Sequence, residues 1–477
     1  MASNVKSTRL AVIGAGPAGY PAAFAAADQG MQVTLVDVEK NPGGVCLYRG
    51  CIPSKALLHV AELIHGAEEA AAFGLTFGPP QLDVDKLRDW KDSVVNKLTG
   101  GLGQLSKQRK VEVLNGRARF LDASTLAVET AGGAEEQLSF ETAILATGSR
   151  PTALPIAPDS PRVMDSTSAL ELENIPETLL VIGGGYIGLE LGQAYAAFGS
   201  RVSVVEMLPN LLTGADRDLT VVLQQRLKKQ FDAIMVETRV VSIDDESSGI
   251  RVKMQDKDGK DIEEVYDKVL VSVGRKPNIE NLGLENTRVV ISDSGFVDVD
   301  LQRRTAEPSV YAIGDVAGQP MLAHKATHEA HVVVEAIQGK KTIYDPAAIP
   351  AVVFTDPEIA WCGLTETEAT DQGKKVSIAK FPWAASGRAT TLGRNDGVTK
   401  IIADIETERV LGVGIVGHGA GELIAEGVLA IEMGAVASDL SLTIHAHPTL
   451  SETSMEAAEA FSGHSTHFLG HPALKDK

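Results

Sequence analysis

Two stretches of the chain carry the same pattern at the same spacing. Residues 9–37, RLAVIGAGPAGYPAAFAAADQGMQVTLVD, run from an apolar strand through Gly14-x-Gly16-x-x-Gly19 into a small-residue helix, then along a second strand to Asp37. Residues 179–206, LLVIGGGYIGLELGQAYAAFGSRVSVVE, repeat this with Gly183, Gly185, Gly188 and Glu206. The first glycine and the acid are 23 residues apart in both copies (37 − 14 and 206 − 183). In such a turn the glycines permit a tight bend, close approach of a pyrophosphate and helix–strand packing, and the acid accepts from an adenosine ribose. One glycine turn is weak grounds for a ligand. Two strand–helix–strand units with identical spacing predict two dinucleotide sites on an α/β scaffold.

Composition narrows the class. With 477 residues the chain is long enough for several domains, and a hydrophobic content of 44% fits a globular protein. A net charge of −19 argues against nonspecific nucleic-acid binding and suits a basic partner surface. No apolar run reaches the roughly 18 residues of a membrane-spanning helix. The opening MASNVKSTRLAVIG enters a strand almost at once, leaving no room for a signal or transit peptide. The expectation is a cytoplasmic protein in a reducing compartment.

Two of only three cysteines stand close together in GGVCLYRGCIPSK, at Cys46 and Cys51; the third is Cys362, beside Trp361 and expected to be a buried thiol. Zinc sites pair cysteines at two to four intervening residues and need further ligands, which this neighbourhood lacks. A structural disulfide is out of place in a reducing cytosol. A redox pair remains. A disulfide needs Cα atoms about 4.4–6.8 Å apart, so the segment must coil tightly, and Gly43, Gly44 and Gly50 permit that. The apolar run SKALLHVAELIHGAEEAA then predicts a helix whose N-terminus favours thiolate.

A thiol pair needs an electron partner. The pair lies within ten residues of Asp37, so the first unit is expected to hold the cofactor that exchanges electrons with sulfur. A flavin does this, which assigns FAD to the first unit and a nicotinamide to the second. Glu206 favours NAD over NADP, because a carboxylate accepts from a 2′-hydroxyl and repels a 2′-phosphate. No arginine follows it until Arg217.

From about residue 7 to about 461 the chain resembles the FAD-dependent pyridine nucleotide–disulfide oxidoreductases, through GAGPAGY, GGVCLYRGCIPSK, ILATGSRP, VIGGGYIGLELG, VSVGRKPN, SVYAIGDVAG, MLAHKATHEA and HAHPTLSE. The nearest members reoxidise protein-bound dihydrolipoyl groups. The resemblance implies that Cys51 lies against the flavin as a thiolate, that Cys46 exchanges with substrate, and that Lys55 sits near the flavin and pairs with Glu190. It places Asp315 and Ala323 on the flavin, Thr147 and Gly148 in a loop returning from the FAD domain, and Gly274 on the NAD side. Gly44, Gly116 and Val240 complete the implied cofactor-binding set, and no metal is implied. Taken singly, Lys55 reads as a solvated helix lysine and Asp315 as a turn former.

Dithiol oxidation also requires a base. Histidine titrates in the right range, and a carboxylate can orient it. His447 with Glu452, in HAHPTLSE, matches the family's base and its partner; His445 is the local competitor. In the family this pair reaches the disulfide of the other subunit, which implies a homodimer with shared active sites. His464, His467 and His471 read as a solvated tail.

The resulting expectation is an α/β chain with two Rossmann-like dinucleotide-binding domains and a C-terminal α+β dimerisation domain. FAD binding takes 1–155, NAD binding 156–275, a return to the FAD domain 276–347, and the interface domain with its tail 348–477. The expected partner is the lipoyl-bearing acyltransferase of a 2-oxo acid dehydrogenase complex, or the glycine cleavage carrier protein. Three departures bear on substrate: LYRG between the cysteines where relatives have LNVG, Asp37 in place of glutamate, and Tyr186, which resembles the flavin-covering tyrosine of glutathione reductase. Reduction of another disulfide is therefore the alternative activity, and Glu206 argues against it. Mercuric reductase and the large thioredoxin reductases are disfavoured by the lack of a C-terminal cysteine pair. A purely structural flavoprotein subunit would need none of Cys46, Cys51, His447 and Glu452.

Overall fold

A computed structural model describes residues 5–469. The first glycine unit opens a sheet in which Lys6–Ile13 lies between Val33–Asp37 and Glu135–Leu145, all parallel. Glu112–Asp122 extends this sheet beyond Val33–Asp37, and Val310–Ala312 joins it beyond Glu135–Leu145. The strands are near-continuous apolar runs because both faces of the parallel layer are covered, one by the helices Gly19–Asp28 and Ala323–Ile337, the other by residues such as Phe120, Leu126, Leu284 and Val297. Leu10, Val12 and Leu35 pack on one face, and Ala11, Ile13 and Val36 on the other. Glu112–Asp122 and Glu135–Leu145 outrun the parallel layer, and Thr125–Thr130 pairs antiparallel with both.

The second unit builds an all-parallel sheet in the order Ala233–Met235, Arg201–Val205, Thr178–Ile182, Lys268–Val271, Val163–Met164. Beside it runs an antiparallel meander of Arg239–Glu246, Gly249–Gln255 and Asp261–Tyr266. The alternating residues after 348 form a five-stranded antiparallel sheet, with Ala420–Met433 and Glu452–Phe461 packed on it. Cys362 is buried in that core. No helix among the described residues is long and apolar enough to cross a membrane.

His464 and His467 are exposed, as the solvated reading expects, but the tail also packs on the domain. Phe468 packs edge-on against Phe381 at 6.4 Å. His467 Nδ1 hydrogen-bonds the buried Glu456, and Ser465 Oγ donates to the same carboxylate at 2.6 Å. A buried carboxylate must find donors, and the tail supplies them. His471 lies outside the described residues.

Asp216, Asp218 and Glu366 bring carboxylates within reach of one cation. Lys400 fills that place: its buried ammonium lies 2.6, 2.8 and 3.0 Å from the three. It ties the helix Arg217–Gln230 of the second unit to the C-terminal sheet. Lys400→Met is expected to cost about 3–5 kcal/mol, because the carboxylates then lose their buried counter-ion. Urea unfolding measures the loss.

Candidate active site

The first glycine turn is built by close contacts that exclude side chains. A Cβ on Gly14, at φ +98°, would lie 2.3 Å from the Ala146 carbonyl oxygen, and one on Gly19 would lie 1.7 Å from that of Gly14. The second turn repeats this: a Cβ on Gly183 would meet the Ser272 oxygen at 2.5 Å, and one on Gly188 the Gly183 oxygen at 2.5 Å. The middle glycines are different. Gly185 has open space before it, and Gly16 meets only the Cα of Gly44. Crowded outer glycines and an open middle one leave backbone N–H groups free to approach a phosphate, so both turns fit a dinucleotide.

The acids hold their own turns. Asp37 accepts from the Ala15 N–H at 2.6 Å, and Glu206 from the Gly184 N–H at 2.7 Å. The second oxygen of Glu206 accepts from the Leu208 N–H at 2.8 Å.

One cavity of about 950 Å³ gathers most of the expected residues. Its walls include Gly14, Gly16, Asp37, Gly44, Cys46, Cys51, Lys55, Gly116, Thr147, Gly148, Tyr186, Glu190, Asp315 and Ala323. Gly19 packs behind it. Gly183, Gly185, Gly188, Glu206, Val240 and Gly274 lie outside its lining, along the second unit. Tyr186, Ile187 and Glu190 carry the first turn of the second unit's helix into the cavity, so the two units meet there.

The cysteines occupy two helices, not one N-terminus. Cys46 lies in the short helix Gly44–Arg49 and Cys51 opens Cys51–Glu69, with the break at Gly50. Both are free thiols. The hydrogen bond from Cys46 lowers the Cys51 thiol to about 7; burial opposes this, and the Lys55 charge assists it. The same contact, with burial, pushes the Cys46 thiol far up. The reduced pair therefore keeps its proton on Cys46 and its negative charge on Cys51. Lys55 is held by Glu190 at 2.6 Å, and the other Glu190 oxygen accepts from the Phe354 N–H at 2.9 Å. Lys55→Met is expected to move the midpoint of Cys51 alkylation by iodoacetamide above about pH 7, because a cation that favours thiolate is lost. Rates measured from pH 5 to 10 on the reduced protein check the direction.

His447 and Glu452 are not on this cavity. His447 is 74% exposed in the side chain, with Nδ1 2.9 Å from Glu452 Oε1. Partial burial works to raise the Glu452 carboxyl, but the Thr449 N–H and His447 outweigh it and hold it low. An ionised carboxylate only accepts, so Nδ1 carries the ring proton and Nε2 presents its lone pair to solvent. His445 is unfit for that role: Nε2 faces Glu426 at 2.7 Å and Nδ1 faces the Thr443 carbonyl at 2.8 Å.

Several cavity residues were not anticipated. Asp315 accepts from Ser149 Oγ, which in turn accepts from Arg275 Nε at 2.7 Å. Ser149 and Arg275 adjoin Gly148 and Gly274, so their motifs flagged the neighbourhood without the contact. Arg49 and Glu39 also line the cavity, as an ion pair.

The model of the pyridine nucleotide-disulphide oxidoreductases matches residues 8–330, and that of their dimerisation domain matches 349–458. The chain belongs to this family. The oxidoreductase is 48% identical to a dihydrolipoyl dehydrogenase of Vibrio parahaemolyticus, over 100% of both chains. It is also 48% identical to one of Thermus scotoductus, over 98% of this chain and 100% of that one. Among solved structures, LpdA of Mycobacterium tuberculosis superposes with TM-score 0.87 at 26% identity, covering 95% of this chain and 99% of the other. The HOCl-induced flavoprotein disulfide reductase RclA of Escherichia coli gives 0.84 at 27% identity, covering 94% and 99%. The dimerisation domain makes the oxidoreductase a homodimer. In the single chain that domain leaves Met433, Leu442 and Ile444 exposed to water, the last three residues from His447.

Proposed function

We propose that this oxidoreductase is a dihydrolipoyl dehydrogenase, which oxidises protein-bound dihydrolipoyl groups to lipoyl disulfides with FAD and NAD as its cofactors. The observation that carries the reading is the split site. A thiol–thiolate pair faces one cavity, and an oriented histidine–carboxylate pair stands exposed on the dimerisation domain of the same chain. Two such chains complete each other: His447 of one serves the cysteines of its partner.

The chain's residues divide the work. His447 Nε2 takes a proton from the substrate dithiol, and Glu452 stabilises the imidazolium. The substrate thiolate attacks Cys46 Sγ of the oxidised pair, and Cys51 leaves as a thiolate beside Lys55. The second substrate sulfur then displaces Cys46 from the mixed disulfide, closing the lipoyl ring. The second substrate thiol passes its proton to the departing Cys46, His447 releases the first proton to solvent, and the substrate's two electrons rest on the cysteine pair. When bound, FAD supplies the two-electron relay from that pair to NAD. Gly14, Gly16, Gly44, Gly116, Thr147, Gly148, Asp315 and Ala323 would hold FAD, and Gly183, Gly185, Gly188, Val240 and Gly274 would hold NAD. Glu206, with both oxygens already fixed by backbone N–H groups, presents a fixed negative charge to the adenosine ribose.

The lipoyl group arrives on another protein, the acyltransferase component of a 2-oxo acid dehydrogenase complex or the glycine cleavage carrier, and the work is done in the cytoplasm. Nucleotide choice tests the assignment of the second unit. The unaltered protein should strongly prefer NAD in kcat/KM, and Glu206→Gln should narrow the preference. Equal efficiency with NADP in the unaltered protein would overturn the assignment.

A further inference from the structure

The pair Arg49–Glu39 has no part in the scheme above, yet both side chains line the cavity. Arg49 ends the short helix Gly44–Arg49, three residues after Cys46. Glu39 follows the strand Val33–Asp37, and its backbone N–H donates to Asp37 Oδ1 at 2.8 Å. Two carboxylates thus stand together where the dinucleotide's adenosine end belongs. Burial works to raise the Asp37 carboxyl, and the Ala15 N–H and the Arg49 charge oppose that. Without a cation, this wall would repel an anionic ligand.

Arg49 has capacity left over. A guanidinium carries five N–H groups. Among the described residues its one side-chain acceptor is Glu39, with the Tyr48 ring at 5.9 Å. Tyr48 is itself anchored, donating from its hydroxyl to the Asn41 carbonyl at 3.0 Å. The arginine is held at its tip by Glu39 and lines the cavity, with donors left unpaired by any protein side chain among the described residues.

We propose that Arg49 is a further cofactor-binding residue, whose guanidinium binds the anionic ADP half of FAD while Glu39 fixes its direction. The proposal rests on the assignment of FAD to the first unit. It also gives a function to the arginine of LYRG: a charge for the cofactor, separate from the choice of substrate. Arg117, on the same wall, is the nearest rival.

The test follows FAD release from the purified holoenzyme by flavin fluorescence, and rebinding of FAD, ADP and FMN to the stripped protein. Arg49→Met should weaken FAD and ADP binding about 10–100-fold at low salt, the scale of a charge-assisted hydrogen bond. The gap should narrow as salt screens the unaltered protein, and FMN, which lacks the AMP half and keeps a single phosphate, should lose less than FAD and ADP do. Arg49→Lys should recover part of the loss. Arg117→Leu should change FAD binding by no more than about twofold, the usual range for a surface substitution. The double variant Glu39→Gln/Arg49→Met should stay weak. Unchanged FAD binding in Arg49→Met, an equal loss in Arg117→Leu, or full recovery in the double variant would each overturn the proposal. Failure of the unaltered protein to bind FAD would instead overturn the assignment beneath it.

Discussion

Cys51→Ser is expected to abolish oxidation of dihydrolipoamide, with a loss of about 10⁴-fold or more, the scale seen when an essential member of a catalytic unit is removed. Serine keeps the size of the side chain and removes the sulfur that must close on Cys46 and later leave as a thiolate. In this site the charge belongs on Cys51: Cys46 donates its hydrogen bond to it, and Lys55 lies beside it. A serine hydroxyl does not ionise in that place. Cys46→Ser should be equally inactive, because no mixed disulfide can form. Steady-state assays with dihydrolipoamide and NAD, on protein shown to retain FAD, measure both. Substantial turnover in either variant would remove the cysteine pair from the chemistry.

His447→Gln is expected to lower the rate of dithiol oxidation by roughly 10²–10⁴-fold, the range for loss of a general base. Reduction of the protein by NADH should change far less, since that direction needs no proton from the substrate dithiol at the outset. The position of His447 gives a sharper form of the same prediction. The ring is exposed and lies off the cavity that holds the cysteines, and the proposed function puts its target in the second subunit. An inactive Cys51→Ser chain paired with an inactive His447→Gln chain should therefore regain about one working site per mixed dimer. No recovery in a verified heterodimer would place the base in the same chain, or on another residue.

Much of this was legible because the motifs are contiguous. A glycine turn and its acid lie on one strand–helix–strand unit, so their spacing is fixed by local geometry, and the parallel sheets follow from apolar strands alternating with helices. The cysteine pair was legible for the same reason, although its housing in two helices was not, because the break sits at Gly50, where a Cβ would lie 2.9 Å from the Val45 oxygen. Lys55 and Glu190, 135 residues apart, were paired only through family resemblance. Motif position favoured His447 over His445, and the acceptors around each ring give the physical reason for that choice. Lys400 left no local sign at all: its three carboxylates come from two separate segments. The tail's contacts were not legible, because the buried carboxylate that Ser465 and His467 satisfy belongs to the preceding helix.

The most direct measurement compares two activities of the unaltered protein under one set of conditions: oxidation of dihydrolipoamide with NAD, and reduction of glutathione disulfide with NADPH. The first should proceed at a rate typical of an enzyme and the second should be negligible, because the fixed charge of Glu206 opposes a 2′-phosphate. Rapid NADPH-linked reduction of glutathione disulfide, with little or no NAD-linked oxidation of dihydrolipoamide, would contradict the account.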